Sequence, residues 1–177
     1  MAAVGPHAPA TTIDATAGAV LRHAARRFAT GVTVVAVHDG VDSHALTANS
    51  FVTLSLRPPL IGIAVRPDGR MRAAVDHCAT FGVSVLSSVQ QDYARHFAGW
   101  DRSGHPVGLV LSAVGPGRAV PLVPGCVAHF ICELRTVHPV GDHDLIVAEV
   151  TSCEVSDQAR SPLIFLDGVF HDDVPEP

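Results

Sequence analysis

From Val32 onward the chain is cut into short apolar, β-branched runs by Asp, Gly, Pro and Ser, with no regular alternation of strand and helix. A parallel α/β sheet needs a crossover of a dozen or more residues between strands, so this pattern speaks against one. It leaves closed or sandwiched antiparallel sheets, and pattern alone does not choose between them. Val32 to Val37 is the first run, His38-Asp39-Gly40 a turn, and Val41 to Thr47 the returning arm of a hairpin. Leu60 to Val65 reads as a buried strand in which Gly62 marks a place where something flat approaches the backbone. Phe81 to Leu86 is another strand. Val127 to Val137 and Leu145 to Val155 read as two long strands joined through His138 to Asp144, and Leu163 to Phe170 as a closing hairpin around Asp167-Gly168.

Helices are few and short. Between Asp14 and Thr30, residues Val20, Leu21, Ala24, Ala25 and Phe28 recur at helical spacing, with Asp14 as N-cap and Gly31 as the C-terminal glycine. Arg70 to His77 has room for two turns. Ser88-Val89-Gln90-Gln91 has the form of a capping box opening a short helix in which Tyr93 and Phe97 meet at i, i+4. Gly99 to Gly108 is a loop carrying Trp100, and Pro116 suits a turn between Gly115 and Gly117. Residues 1–13 read as a loose arm ahead of a single domain, 14–172.

Composition narrows the function. Of 177 residues, 47% are hydrophobic and 16% charged, which suits one globular domain with a real core. A net charge of -5 without a Lys/Arg cluster argues against nucleic acid. No apolar run reaches membrane-spanning length and no secretory signal is visible, so a cytoplasmic protein is expected. Cys78, Cys126, Cys132 and Cys153 form no Cys-x-x-Cys pair and read as reduced thiols. Eleven His residues include no paired ligand spacing, so no metal is expected. Gly115-Pro116-Gly117 is not a dinucleotide fingerprint, and Gly-x-Ser-x-Gly is absent.

The stretch with most chemistry is Thr47-Ala48-Asn49-Ser50-Phe51-Val52-Thr53-Leu54-Ser55-Leu56-Arg57-Pro58-Pro59-Leu60. Its backbone N–H groups and short polar tips can approach a flat, polar-edged ligand, and they fit a phosphate as well. On residue type alone it is also an ordinary polar connection between strands. His143, in Gly141-Asp142-His143-Asp144, is by itself a turn residue.

As an ordered set these segments resemble the flavin reductase-like family, NAD(P)H:flavin oxidoreductases that feed reduced flavin to two-component monooxygenases. The resemblance runs from Leu21 to Phe170. It rests on Phe28-Ala29-Thr30-Gly31-Val32, on Thr47 to Phe51 with Ser55 and Pro58-Pro59, and on Gln90 to Ala98. Cys132-Glu133, Gly141-Asp142-His143 and Leu166-Asp167-Gly168-Val169-Phe170 complete it. It implies a mainly β fold, the FMN-binding split β-barrel with Greek-key topology and a few short helices, as a homodimer. It implies that Thr47, Ala48, Asn49 and Ser50 hold the isoalloxazine edge and that Ser55 sits toward the ribityl phosphate. Arg66 and Arg70 would neutralise a phosphate or pyrophosphate, although Gly69 and Met71 stand where relatives carry hydroxyl donors, and Ser84 where many carry Asn. His143 would donate to the flavin or the dinucleotide, its tautomer fixed by Asp142 or Asp144.

The function so implied is NADH-dependent reduction of FAD or FMN, with NADPH as the alternative donor and a flavin-dependent monooxygenase as partner. FAD is preferred because two arginines and a slim Gly69 accommodate a longer pyrophosphate. Competing readings are a split barrel with permanently bound flavin, acting as oxidase or oxygenase, and a flavin- or haem-binding carrier without turnover.

Overall fold

A computed structural model describes residues 15–99, 108–158 and 160–172. The expected arm at 1–13, the Asp14 cap and the Trp100 loop lie outside the described residues. The first helix, α1, is Ala15–Ala25, and β1 (Thr30–Gly31), β2 (Thr33–His38), β3 (Ser43–Ala48), β4 (Val52–Leu56) and β5 (Pro59–Val65) follow. Then come α2 (Arg70–Cys78), β6 (Thr80–Val85), α3 (Gln91–Phe97), β7 (Val110–Gly115) and β8 (Arg118–Leu122). The chain closes with β9 (Ala128–Val140), β10 (His143–Val155), β11 (Ile164–Leu166) and β12 (Val169–His171).

Seven strands form one antiparallel sheet in the order β3-β2-β6-β9-β10-β5-β4. The β9–β10 hairpin lies between β5 and β6, which gives the Greek-key order. A single apolar cluster draws Val35, Val37, Ala48, Ile61, Ile63, Phe81, Val83, Cys132, Ile146 and Ala148 from six of these strands, so the sheet wraps a common interior. Met71 and Val75 of α2 join that interior. The edge strands β3 and β4 are consecutive in the chain yet unpaired with each other, so the barrel is split there. On the other face, Val34 of β2 and Val32 just before it join a second cluster with Leu86, Ala94, Val123, Leu163 and Phe170. A strand covered on both faces has no polar side to alternate with, which explains the unbroken Val32 to Val37 run.

The hairpins match the sequence reading closely. Strands β2 and β3 pair from Thr33↔Ala48 to His38↔Ser43 across a four-residue turn. In the last hairpin Asp167 and Gly168 take φ of 54° and 84°, the two positive values a two-residue type I′ turn requires. Gly141, at φ 63°, opens the two-residue turn between β9 and β10. Both long strands run further into that turn than the sequence suggests.

Four readings need correction. Helix α1 ends at Ala25, and Gly31 is not its terminal glycine but a strand residue paired with Ile164. The capping box at Ser88 does not form. Gln90 organises that corner instead, its Oε1 accepting the Ser87 N–H at 2.9 Å and its Nε2 donating to the Pro124 carbonyl at 2.8 Å. Gly62 faces no flat ligand, since a Cβ there would meet Leu54, Val52 and Leu145 side chains at 3.1–3.3 Å. The glycine with a backbone against it is Gly82, where a Cβ would lie 2.6 Å from the Pro121 carbonyl oxygen of β8.

Candidate functional site

One groove of about 650 Å³ gathers most of the expected site. Its long wall is Ser43 to Ser50, eight consecutive residues. Successive residues of an interior strand would point to opposite faces, and only some would reach a shared pocket. Here all of them do because β3 is the edge of the sheet, paired on one side only among the described residues. An edge strand presents a row of free N–H and C=O groups, the pattern a heteroaromatic ring with imide-like edges can match. The groove is also lined by Ala64, Val65 and Arg66 at the end of β5, with Gly69, Arg70 and Met71 at the start of α2. Phe97, Ala98 and His143 complete it.

The hydroxyls of the Thr47–Ser50 segment are largely committed to the protein. Thr47 Oγ1 donates to the Ala94 carbonyl at 2.8 Å, tying β3 to α3. Ser50 Oγ donates to the Ala64 carbonyl at 3.0 Å and accepts the Ala64 N–H at 3.2 Å. Strand β4 pairs with β5 only as far as Val52↔Gly62, so the Ser50 side chain supplies the next rung that the backbone does not. The segment therefore meets a ligand chiefly through its backbone and the exposed Asn49 amide. Ala48 is buried, with its carbonyl accepting Thr33 Oγ1 at 2.7 Å.

The phosphate set divides. Gly69 caps α2 without a side-chain bond, which leaves the first helix amides, at Arg70 and Met71, on the groove wall. Such amides and the positive end of the helix dipole suit an anion. Arg70 has no acidic partner among the described residues, whereas Arg66 is held by Asp68 through Nε at 3.0 Å and Nη2 at 3.1 Å. Ser55 is not in the groove. It lies on β4, and its Oγ accepts the Arg57 N–H at 3.2 Å in the turn to β5, so the expectation that it approaches the phosphate is not met.

His143 is 44% exposed at the groove. Its Nδ1 lies 2.9 Å from Asp142 Oδ1, an arrangement that lowers the Asp142 carboxyl below its usual range and leaves Nε2 for a ligand. Asp144 does not share this role. It accepts Arg72 Nε at 2.9 Å, and Arg72 also pairs with Asp76. Ser84 replaces an expected amide by accepting the Val123 N–H at 3.0 Å, a structural duty. Burial pushes the Cys132 thiol up to about 12, so no thiolate is offered in the barrel.

Sequence reasoning missed Ser43, His44, Leu46, Phe97 and Ala98 as wall residues. The membership of Ser43, His44 and Leu46 follows from β3 being an edge, a property of the whole sheet order, and Phe97 and Ala98 come from the end of α3, which Thr47 ties to β3.

The fold and groove define a small split barrel with a nucleotide-sized cleft along an open strand edge. The chain matches the flavin reductase like domain over residues 25–172 and belongs to that family. An NADH-dependent flavin reductase of Rhodococcus sp is 35% identical over 153 residues, 85% of this chain and 83% of that one. The reductase component of a 4-hydroxyphenylacetate 3-monooxygenase from Thermus thermophilus is 34% identical over 144 residues, 81% of this chain and 89% of that one. The solved NADH:FAD oxidoreductase of Streptomyces globisporus C-1027 superposes with a TM-score of 0.80 at 36% identity, covering 95% of this chain and all of that one.

Proposed function

We propose that this protein is an NADH-dependent flavin reductase that transfers hydride from nicotinamide to FAD or FMN and releases the reduced flavin to a flavin-dependent monooxygenase. The observation that carries this reading is that the edge strand β3 and the α2 N-terminus, which has no side-chain cap, line one groove in a chain of the flavin reductase-like family. The residues fit a flavin nucleotide. Backbone groups of Thr47, Ala48, Asn49 and Ser50 match a ring with alternating donors and acceptors, and Arg70 with the α2 amides matches a phosphate.

A flavin held in this groove would supply the hydride acceptor, with the nicotinamide as donor. The chain's part is positioning. Ser50 fixes the loop that carries the ring-binding backbone, and Thr47 fixes β3 against α3. Amide donors aimed at the edge where negative charge gathers favour the reduced anion. His143, its Nδ1 held by Asp142, presents Nε2 to the flavin or the nicotinamide amide. No side chain needs to take a proton from the reacting carbon.

Release fits better than permanent retention. Arg66 is already paired with Asp68, and Gly69 and Met71 bring no hydroxyl, which leaves a phosphate to Arg70, without an acidic partner among the described residues, and to backbone amides. A homodimer completes the reading. Val20, Leu21 and Phe28 around α1 and Val52, Leu54 and Leu56 on edge strand β4 are all exposed, Leu56 at 81%. Large apolar side chains clustered on an edge strand mark an association surface. Sedimentation of a catalytically active monomer would contradict the dimer.

The test is NADH absorbance with purified protein and added FAD or FMN. NADH loss that requires flavin supports the reductase. No loss with either flavin removes it and leaves the carrier reading.

A further inference from the structure

The groove continues past the residues that a flavin ring and its first phosphate use. Measured along β3 from Ser50, the wall runs on to Ser43 and His44. Helix α2 begins at the groove with Gly69–Met71, and its far end, at Cys78, lines a second, smaller cavity together with Asp39 of the β2–β3 turn. Ser43 and His44 therefore lie toward the α2 C-terminus, beyond the anion-binding helix start. A ligand that ended at one phosphate would leave this stretch empty.

His44 is held there as a fixed polar group. Its Nε2 lies 3.1 Å from Asp39 Oδ2. Asp39 is in turn locked by its own backbone, with Oδ1 accepting the N–H groups of Val41 at 2.9 Å and Asp42 at 2.7 Å. A carboxylate that orients an imidazole through one nitrogen leaves the other, here Nδ1, to a ligand. His44 is about one-third exposed at the groove. Ser43 offers less, since its hydroxyl is already bonded to His38 at 3.2 Å.

We propose that His44, oriented by Asp39, binds the adenosine monophosphate half of FAD and sets a preference for FAD over FMN. This rests on the flavin reading above and deepens it, because FMN and FAD share everything up to the first phosphate and differ only beyond it. His44 is a specificity residue remote from the reacting ring, and Asp39 is the positioning residue behind it.

The test is the ratio of FAD to FMN dissociation constants, measured by flavin fluorescence for the parent, His44→Ala and Asp39→Asn, with riboflavin as a reference ligand. Loss of one hydrogen bond lowers the preference for FAD about three- to tenfold in His44→Ala. Asp39→Asn, which keeps an oxygen for the turn amides, gives a smaller drop of the same sign. A ratio equal to the parent's overturns the proposal, whether both affinities hold or both fall together. So does a variant that weakens FMN and FAD equally against riboflavin, which would place His44 at the first phosphate. A parent protein that binds no flavin of any kind is a separate result, and it removes the flavin reading itself.

Discussion

Replacing Ser50 by alanine separates a structural hydroxyl from a ligand-binding one. The Ser50 Oγ makes two hydrogen bonds to Ala64, at 3.0 and 3.2 Å, in a half-buried position where β4 has left β5. Each neutral bond contributes about 0.5–1.5 kcal/mol net, so the pair is worth about 1–3 kcal/mol. Water reaching the freed Ala64 groups recovers part of that, and about 1–2 kcal/mol is expected to remain. For a domain of this size each kcal/mol shifts the midpoint by about 2–4 °C, which predicts a fall of about 2–8 °C. Flavin affinity falls too, because the Ala48–Ser50 backbone loses its anchor to β5. Thermal unfolding beside flavin titration reads both effects. The control is Ser55→Ala, whose hydroxyl accepts an exposed turn amide and, among the described residues, makes no other bond, so that its loss costs under about 0.5 kcal/mol. A Ser50→Ala protein with the parent's midpoint and the parent's flavin affinity would show that this hydroxyl anchors neither the barrel nor the ligand segment.

Three further outcomes follow from the groove and the core. His143→Ala slows reduction of bound flavin about ten- to a hundredfold in stopped flow, the loss of 1–3 kcal/mol of positioning, while flavin affinity changes little. Arg70→Ala weakens FMN against riboflavin more than Arg66→Ala does, because Arg66 must first leave Asp68; isothermal titration of the two variants ranks them. Because burial holds the Cys132 thiol near 12, it stays unalkylated at neutral and mildly basic pH while the exposed Cys153 reacts; raising the pH toward 12 or unfolding the chain exposes Cys132 to reagent, read by peptide mass mapping.

Much of the barrel can be read from residue types because its hairpins carry strong local signals. Asp167-Gly168 and Gly141 occupy turn positions that need positive φ, and the Val32–Val37 run is covered on both faces. Strands β7 and β8 escaped because only their turn, Gly115-Pro116-Gly117, has a signature. The strands themselves are short and alternate weakly. Gly82 was the available clue to them, since it is the glycine against which β8 packs.

The candidate site is legible in location more than in chemistry. Thr47 to Ser50, Arg66, Arg70 and His143 do converge on one groove, while Ser55 does not. Residue type cannot tell a hydroxyl that faces a ligand from one that closes a barrel. Thr47 and Ser50 look alike in sequence either way, and their carbonyl partners, Ala94 and Ala64, are distant along the chain. The place of His44 on the groove wall is hidden for the same reason, as it depends on β3 being paired on one side only among the described residues.

Hydrogen–deuterium exchange with and without FAD shows whether flavin binds along the β3 edge and the α2 N-terminus. FAD is expected to slow exchange in peptides spanning residues 43–50 and 69–71, with smaller changes near His143. Protection elsewhere, for example along β7 and β8, with none at residues 43–50 would contradict this placement.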